Sequence, residues 1–457
     1  MRRRPRLLWR DGAPGASAPP IPGLPVLLKK ESGLNDNSYY EASVVRPPAC
    51  PPLRGRISVD ICVVGGGYAG LSSAIELAER GYSVALLEAR RFGWGASGRN
   101  GGQVLPGYAG QAAMERQLPR EDARRAWDIS IEAMHLLQER IIRCRIACDY
   151  TPGCMTLATT ARKARDLDAL VDHLACAYGY PMQWIGTGEI REWIASEQFR
   201  AGAYDAQAGH LHPLKYCLGL AQAAAAAGVR LFEDSAVSAI RRGPRPLVKA
   251  AGGEVECRFA VLAGNVYLDQ FGGSIAPELM RRIIPVGTYI IATDPMRRER
   301  ADVLIRRRAA VSDTNFVLDY FRLTHDDRLL FGGADAFSGA TPRNLDKHVR
   351  QRMLAVFPQL SDLGVPYTWG GFVDVTINHA PDFGRLENNI YYLQGFSGHG
   401  LALAGIAGRM VAEVVAGHAE RFDLLSRLRH APFPRGAWIR RPAVALGVLY
   451  YRLRDLL

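Results

Sequence analysis

An α/β fold is predicted for this 457-residue chain: a Rossmann-like nucleotide-binding domain joined to an α+β second domain built on an antiparallel sheet. Three observations predict it. Val59 to Glu88 reads as strand, glycine turn, helix, strand and terminal acid. From Arg282 to about Pro366 the pattern changes to strand signals with polar interruptions. Ile390 to Gln394 and a small-residue helix over Leu401 to Val415 then restore the first pattern.

The apolar run Val59 to Val64 has the length and β-branched content of a buried strand. It passes directly into Gly65-Gly66-Gly67-Tyr68-Ala69-Gly70. Gly65 suits a tight turn, Gly67 lets backbone approach a pyrophosphate, and Gly70 lets helix and strand pack closely. The helix that follows shows Leu71, Ala74, Ile75 and Ala78 on one face and stops at Gly81. Its N-terminus offers free N–H groups and a positive dipole end to phosphates. A second strand, Val84 to Leu87, ends at Glu88, placed to accept from a ribose hydroxyl and to repel a 2′-phosphate. These residues indicate a dinucleotide and disfavour NADP, and they leave NAD and FAD open.

Gly93-Trp94-Gly95-Ala96-Ser97-Gly98-Arg99-Asn100-Gly101-Gly102-Gln103 is a second glycine-rich loop, which an NAD domain does not need. With it, and with Ser38 to Ser43 (SYYEAS) ahead of the first strand, the chain resembles the D-amino-acid-oxidase-like (DAO) superfamily of FAD-dependent oxidoreductases, closest to its γ-glutamylputrescine oxidoreductase branch, over most of Ser38 to the C-terminus. The resemblance implies an FAD-binding Rossmann-like domain and a substrate domain. It implies FAD contacts at Gly65, Gly67, Tyr68, Ala69, Gly70, Glu88, Ala89 and Arg90, and along Ala96, Ser97, Gly98, Arg99, Asn100, Gly101, Gly102 and Gln103. Further contacts are implied at Val237, through its backbone to the adenine, and at Gly264; Gly395, Ser397, Gly398, His399 and Gly400 are implied beside the flavin ring.

Between these motifs, helices are expected over Arg120 to Cys148, Ala161 to Tyr178, Gly188 to Ala195 and Leu214 to Ala227, with a strand over Thr151 to Thr160. Gly202 to Pro213 is read as turn residues carrying His210 and His212, with no metal assigned. Strand-like pieces follow at Val229 to Glu233, Ala236 to Ile240 and Phe259 to Ala263. The second sheet is expected from Ile283 to Thr293, Phe316 to Leu323 and Leu329 to Gly332, with a helix over Leu345 to Phe357. The expected organisation is a disordered tail over 1–37, an FAD domain from 57–110, 208–265 and 368–435, a substrate domain from 111–207 and 266–367, and an amphipathic helix over 436–457.

Gly395 to Gly400 opens a helix, and such an N-terminus stabilises negative charge on a reduced flavin ring, by on the order of 1 kcal/mol per contact. Strand alternation puts Tyr320 and Arg322 on one face, where Tyr320 would pack on substrate and Arg322 would meet an anionic group; Trp369 is a candidate wall. His399 is the candidate proton acceptor or ring-polarising group. Amino-acid oxidases of the resembled superfamily carry a G-x-R-P stretch whose Arg grips the α-carboxylate. Here Trp369-Gly370-Gly371-Phe372 stands in its place without that Arg, which favours amines over α-amino acids. No cysteine lies beyond Cys257, so the FAD is expected to be non-covalent. The implied reaction is hydride transfer from an amine such as γ-glutamylputrescine to flavin N5, imine hydrolysis to an aldehyde, and reoxidation by O2 or another acceptor. The alternatives are a glycine- or sarcosine-type FAD dehydrogenase passing electrons to a membrane quinone or partner, and an NAD-dependent dehydrogenase.

Hydrophobic residues make up 48% and charged residues 22%, ordinary for a globular protein with a large core. The formal charge of +12 gathers partly at the ends, at Arg2, Arg3, Arg4, Arg6 and Arg10 and at Arg435, Arg440, Arg441, Arg452 and Arg454. No nucleic-acid motif accompanies it, so the charge is read mainly as terminal decoration, with peripheral contact to an acidic membrane or partner surface as the second reading. Eight cysteines without a CxxC pair, and Met1 to Pro25 without an apolar export core, point to a cytoplasmic protein with no structural metal.

Overall fold

A computed structural model describes residue 27, residue 31 and residues 33–433, apart from 274, 316 and 337–343. The first two apolar runs form the strands Ile61–Val64 and Val84–Leu87, and every residue of both is buried. They lie side by side in a six-stranded sheet of order Asp382–Leu386, Ile390–Gln394, Phe259–Leu262, Ile61–Val64, Val84–Leu87, Arg230–Phe232. All neighbours run parallel except the edge Asp382–Leu386. Burial on both faces is what permits continuous apolar strands such as Ile61-Cys62-Val63-Val64.

Two helices cover one face and set the geometry of the site. Tyr68–Glu79 is buried from Tyr68 through Leu77, and Gly400–Val415 crosses it. The crossing is close because a Cβ on Gly408 would lie 2.5 Å from the Ser73 backbone nitrogen. The longer helix Arg120–Arg143 packs behind them and inserts Arg140, whose guanidinium donates to Ser72 Oγ at 2.9 Å and to Glu76 Oε1 at 2.7 Å. Both partners are buried, so the carboxylate offsets a charge that would otherwise be costly there.

A nine-stranded mixed sheet forms the other layer. Its path is Tyr367–Val375, Ile284–Ala292, Leu329–Ala336, Tyr320–Leu323, Ala310–Asp313, Thr151–Ala158, Ala201–His210, Gln103–Val104, with Gln183–Ile185 paired to Ala201–His210. One pair, Ala310–Asp313 with Thr151–Ala158, is parallel and the rest are antiparallel. A smaller four-stranded sheet of Gly55–Ser58, Gly253–Glu256, Leu247–Ala250 and Val237–Arg241 sits at the edge of the nucleotide layer.

Three sequence expectations change. The stretch read as turn residues, Gly202 to Pro213, is the strand Ala201–His210. Its small residues are packing sites: a Cβ on Gly202 would meet Leu157 at 2.6 Å, and one on Gly209 the Thr151 carbonyl at 2.8 Å. The FAD piece expected from 368 begins inside Tyr367–Val375, a strand of the nine-stranded sheet paired along its length with Ile284–Ala292. The tail expected to be disordered through residue 37 is packed at residue 31 and from residue 33 onward. Glu31 is buried in an ion pair with Arg99 and accepts from Tyr267, while Leu34 and Asn37 carbonyls accept from Gly370 at 3.0 Å and Thr368 at 3.2 Å. Most of the expected tail, the basic termini and the helix 436–457 lie outside the described residues. Among the described residues no single helix is long and apolar enough to cross a membrane.

Candidate active site

Both glycine motifs open onto one cavity of about 580 Å³, inside the range of small-molecule and cofactor pockets. At one end the walls are backbone. Gly65 has φ +108°, and a Cβ there would lie 2.6 Å from the Ala263 carbonyl. A Cβ on Gly70 would lie 1.9 Å from the Gly65 carbonyl, so any side chain would force helix and strand apart. Ser97 Oγ accepts from the Tyr68 N–H at 3.1 Å and ties the second loop to the helix start. Glu88 accepts from the N–H groups of Gly66 at 2.6 Å and Arg90 at 2.8 Å. Burial raises its carboxyl from the ordinary value, while those backbone donors work against the rise. Val237 closes this end.

The second motif is a turn of left-handed residues, Gly395 at φ +78°, Ser397 at +52° and Gly398 at +83°. It is held by Asp374, a buried carboxylate that accepts from Gly395 N–H and from Phe396 N–H at 3.1 Å. Ser397 N–H donates to the Asp374 carbonyl at 2.9 Å. Burial pushes Asp374 up to about 6, against the hydrogen bonds from Asn265 and the two backbone groups. The helix Gly400–Val415 then starts with Gly400, Leu401 and Ala404 facing the cavity. His399 also faces it, and its Nε2 donates to the Pro106 carbonyl at 2.9 Å. Burial lowers its pKa, so it is neutral near pH 7.

The remaining wall is side chains of the large sheet, Val286, Thr288, Ser312, Tyr320 and Phe372, with Leu318 from the segment before Tyr320–Leu323. Tyr320 and Thr288 share a hydroxyl hydrogen bond of 3.0 Å. Among the described residues no arginine or lysine lines the cavity; its carboxylates are Glu88 and Asp374, and its histidines are His379 and His399.

Most sequence-predicted residues meet at this cavity: Gly65, Gly67, Tyr68, Ala69, Glu88, Ala89, Ala96, Ser97, Asn100, Gly101, Gly102, Gln103, Val237, Gly264, Gly395's neighbours Ser397, Gly398, His399 and Gly400, and Tyr320. Gly395 stands just behind them on Asp374. Gly70 and Gly98 stand back as close-packing glycines. Arg90 lies over the rings of Trp94 and Phe271 rather than in the cavity. Arg99 is turned away: it pairs with Glu31, lies 4.6 Å over the Trp94 ring, and its Nε donates to the Trp94 carbonyl at 2.6 Å.

Two predicted substrate residues are misplaced. Trp369 is fully buried; its Nε1 donates to the Arg99 carbonyl at 3.0 Å and its ring meets Tyr40 edge-on, which makes it a core residue. Arg322 shares a strand face with Tyr320 but opens on a second cavity. The loop Gly101–Gln103 runs between them: a Cβ on Gly101 would meet the Tyr320 ring at 2.9 Å, and one on Gly102 would meet Arg322 at 3.2 Å. His210 and His212 are structural, bonded to the Arg308 carbonyl at 2.8 Å and to Ser43 Oγ at 3.0 Å. The sequence reading missed Asp374, Asn265, His379 and Thr288. A lone acid inside the apolar run Phe372-Val373-Asp374-Val375 was the available signal for the first.

The residues fit an FAD. The helix start at Tyr68 and a run of side-chain-free backbone suit phosphates without a cation, the start of Gly400–Val415 suits a ring that gains negative charge, and Glu88 suits a ribose hydroxyl. Comparison with known proteins agrees. Residues 60–414 match the DAO family model, described as FAD dependent oxidoreductase. The chain is 39% identical over 422 residues to gamma-glutamylputrescine oxidoreductase of Escherichia coli K12, covering 92% of this chain and 98% of the relative. It is also 39% identical over 421 residues to the probable oxidoreductase OrdL of Haemophilus influenzae, covering 92% and 97%. In fold it is similar to the crystal structure of glycine oxidase from Geobacillus kaustophilus, with a TM-score of 0.68 at 23% identity over 82% of this chain and 99% of the other.

Proposed function

Because the chain belongs to the DAO family of FAD dependent oxidoreductases, we propose that this FAD-dependent amine oxidoreductase acts on a polyamine derivative such as γ-glutamylputrescine, holds FAD non-covalently and uses O2 as its electron acceptor. The observation that carries the substrate reading is the charge of the cavity. No cation among the described residues lines it, and Asp374 is the carboxylate at its ring-side end. A carboxylate on the reacting carbon, as in an α-amino acid, would enter that space unpaired, whereas the terminal ammonium of γ-glutamylputrescine, many bonds from its own carboxylate, meets a counter-charge. A glycine- or sarcosine-type dehydrogenase, the alternative, calls for a cation that these walls do not offer.

Bound FAD supplies the hydride acceptor for oxidation of the C–N bond. The chain's own residues do the rest. Asp374, ionised above about pH 6, draws the cationic amine in and keeps the turn Gly395–Gly398 in place. Val286, Leu318 and Phe372 make the wall apolar, which favours the neutral amine needed at the reacting carbon. Tyr320, braced by Thr288, limits the position of the substrate chain. The start of Gly400–Val415 presents N–H groups and its dipole to the charge that develops on the ring. His399, donating to the Pro106 carbonyl, holds the loop before the helix beside the cavity. None of the eight cysteines lines the cavity, which supports non-covalent attachment.

Incubation with γ-glutamylputrescine in an oxygen electrode tests the reading. Oxygen uptake with aldehyde formation is expected, and neither appearing with any polyamine derivative overturns it. After acid precipitation the yellow colour is expected in the supernatant; a yellow pellet overturns the non-covalent assignment.

A further inference from the structure

Behind the loop Gly101–Gln103 lies a second cavity, of about 230 Å³, whose character is opposite to the first. It is lined by Arg298, Arg308 and Arg322, with Asp149 as its one carboxylate. The surrounding charges nearly balance. Arg298 and Arg308 share Asp302 and Asp327 at 2.6 to 3.3 Å, and Lys215 holds Asp149 at 2.7 Å. Arg322 is the exception.

Three arginines are buried among the described residues: Arg99, Arg140 and Arg322. Arg99 has Glu31 and Arg140 has Glu76. Arg322, 5% exposed, has hydrogen bonds to the Gly101 carbonyl at 2.7 Å and Tyr40 Oη at 3.1 Å, and a long one to the Leu323 carbonyl, but no carboxylate among the described residues within ion-pair distance. Those bonds use three of its five N–H groups. His210 and His212 cannot supply the counter-charge, and the field of Arg322 helps burial push both down to about 3. A buried guanidinium without a counter-ion is costly, and a cavity with two further guanidiniums at its wall is a place for one.

We propose that this cavity binds a small oxyanion, of the phosphate or carboxylate class, on Arg322, with Arg298 and Arg308 completing the site. Its volume admits a small anion and not a nucleotide. Occupancy reaches the cofactor loop directly. Arg322 holds the Gly101 carbonyl, and Tyr40, which accepts from Arg322, donates to the Asn100 carbonyl at 2.9 Å; both loop residues line the main cavity. A filled site therefore fixes Arg322 and, through it, the loop.

The test is calorimetric titration of the FAD-loaded protein with inorganic phosphate and, separately, glutarate, at ionic strength held constant with sodium chloride. The expected result is saturable one-site binding of at least one of them, a rise in Tm that saturates with it, loss of both in Arg322→Gln, and affinity weakened roughly tenfold in Arg298→Gln. Phosphate alone saturating identifies a phosphate or phosphoester site, and glutarate alone a carboxylate site. No saturable binding of either, or equal affinity in wild type and Arg298→Gln, overturns the proposal. If Arg322→Gln fails to fold, Arg298→Gln, whose side chain is 54% exposed, still decides.

Discussion

At one end of the main cavity the walls are backbone, and at the other they are side chains. The cofactor end is specified by what is missing: Gly65 and Gly70 leave space that no Cβ can occupy, within a segment of fewer than 30 residues ending at Glu88. The substrate end is specified by what is present, on strands far apart in sequence: Thr288, Ser312, Tyr320 and Phe372. Local geometry written in glycines does not depend on how distant strands pair. A side chain on a sheet faces a site only if nothing else crosses that face first.

The largest effect expected from probing this contrast is at Gly70. Gly70→Ala puts a Cβ 1.9 Å from the Gly65 carbonyl, and overpacking of that kind costs about 3 kcal/mol or more. Little folded, yellow protein is expected, read as the ratio of flavin to protein absorbance; a normal ratio would break the claim that backbone contact makes this end. At the other end, Asp374→Asn removes a charge from a charge-assisted contact, worth roughly tenfold to a hundredfold in kcat/KM for a cationic amine, with FAD retained. In wild type, kcat/KM is expected to rise as pH rises through about 6, where Asp374 ionises, and that limb is expected to vanish in the variant. Because the folded-state pKa of Asp374 lies above the ordinary 3.8, its contribution to stability is full below that value and is lost as pH rises through about 6. The Tm of Asp374→Asn is therefore expected to change less between pH 4 and 6 than that of wild type.

Smaller effects sharpen the division. Glu88→Ala leaves the Gly66 N–H without its acceptor and removes the ribose partner, so FAD is expected to bind roughly tenfold more weakly, measured by fluorescence on dilution. Trp369→Phe strands the Arg99 carbonyl in the core. It is expected to cost about 1–3 kcal/mol in denaturant unfolding while kcat/KM stays within about twofold of wild type. A large loss of activity with unchanged stability would return Trp369 to the cavity wall.

The sequence made the nucleotide half legible because each part there is local. Gly65 to Gly70 and Glu88 are read from spacing and residue type, the loop to Gln103 and the helix after His399 from glycine-rich stretches together with the family resemblance, and all reach the cavity or its immediate support. Tyr320 and Arg322 show why the other half was not. Alternation placed them correctly on one face of Tyr320–Leu323, yet the loop Gly101–Gln103, some 220 residues earlier, lies across that face and separates them. Trp369 is on a strand whose neighbour is Ile284–Ala292, and that pairing, with Tyr40 against its ring, takes it into the core. The residues around Glu31 carry no strand or helix signal. Glu31 is placed by Arg99 and Tyr267, which need its carboxylate, a requirement visible only once those groups are buried.

A cavity that no cation among the described residues lines selects a terminal amine over an α-amino acid, and anaerobic reduction of the bound flavin tests this most directly. The purified protein is mixed without oxygen with γ-glutamylputrescine, then with glycine and D-alanine, and the yellow absorption band is followed. Bleaching by the polyamine derivative, with the amino acids leaving the band unchanged, is the expected result. Bleaching by glycine or D-alanine and not by any polyamine derivative contradicts it.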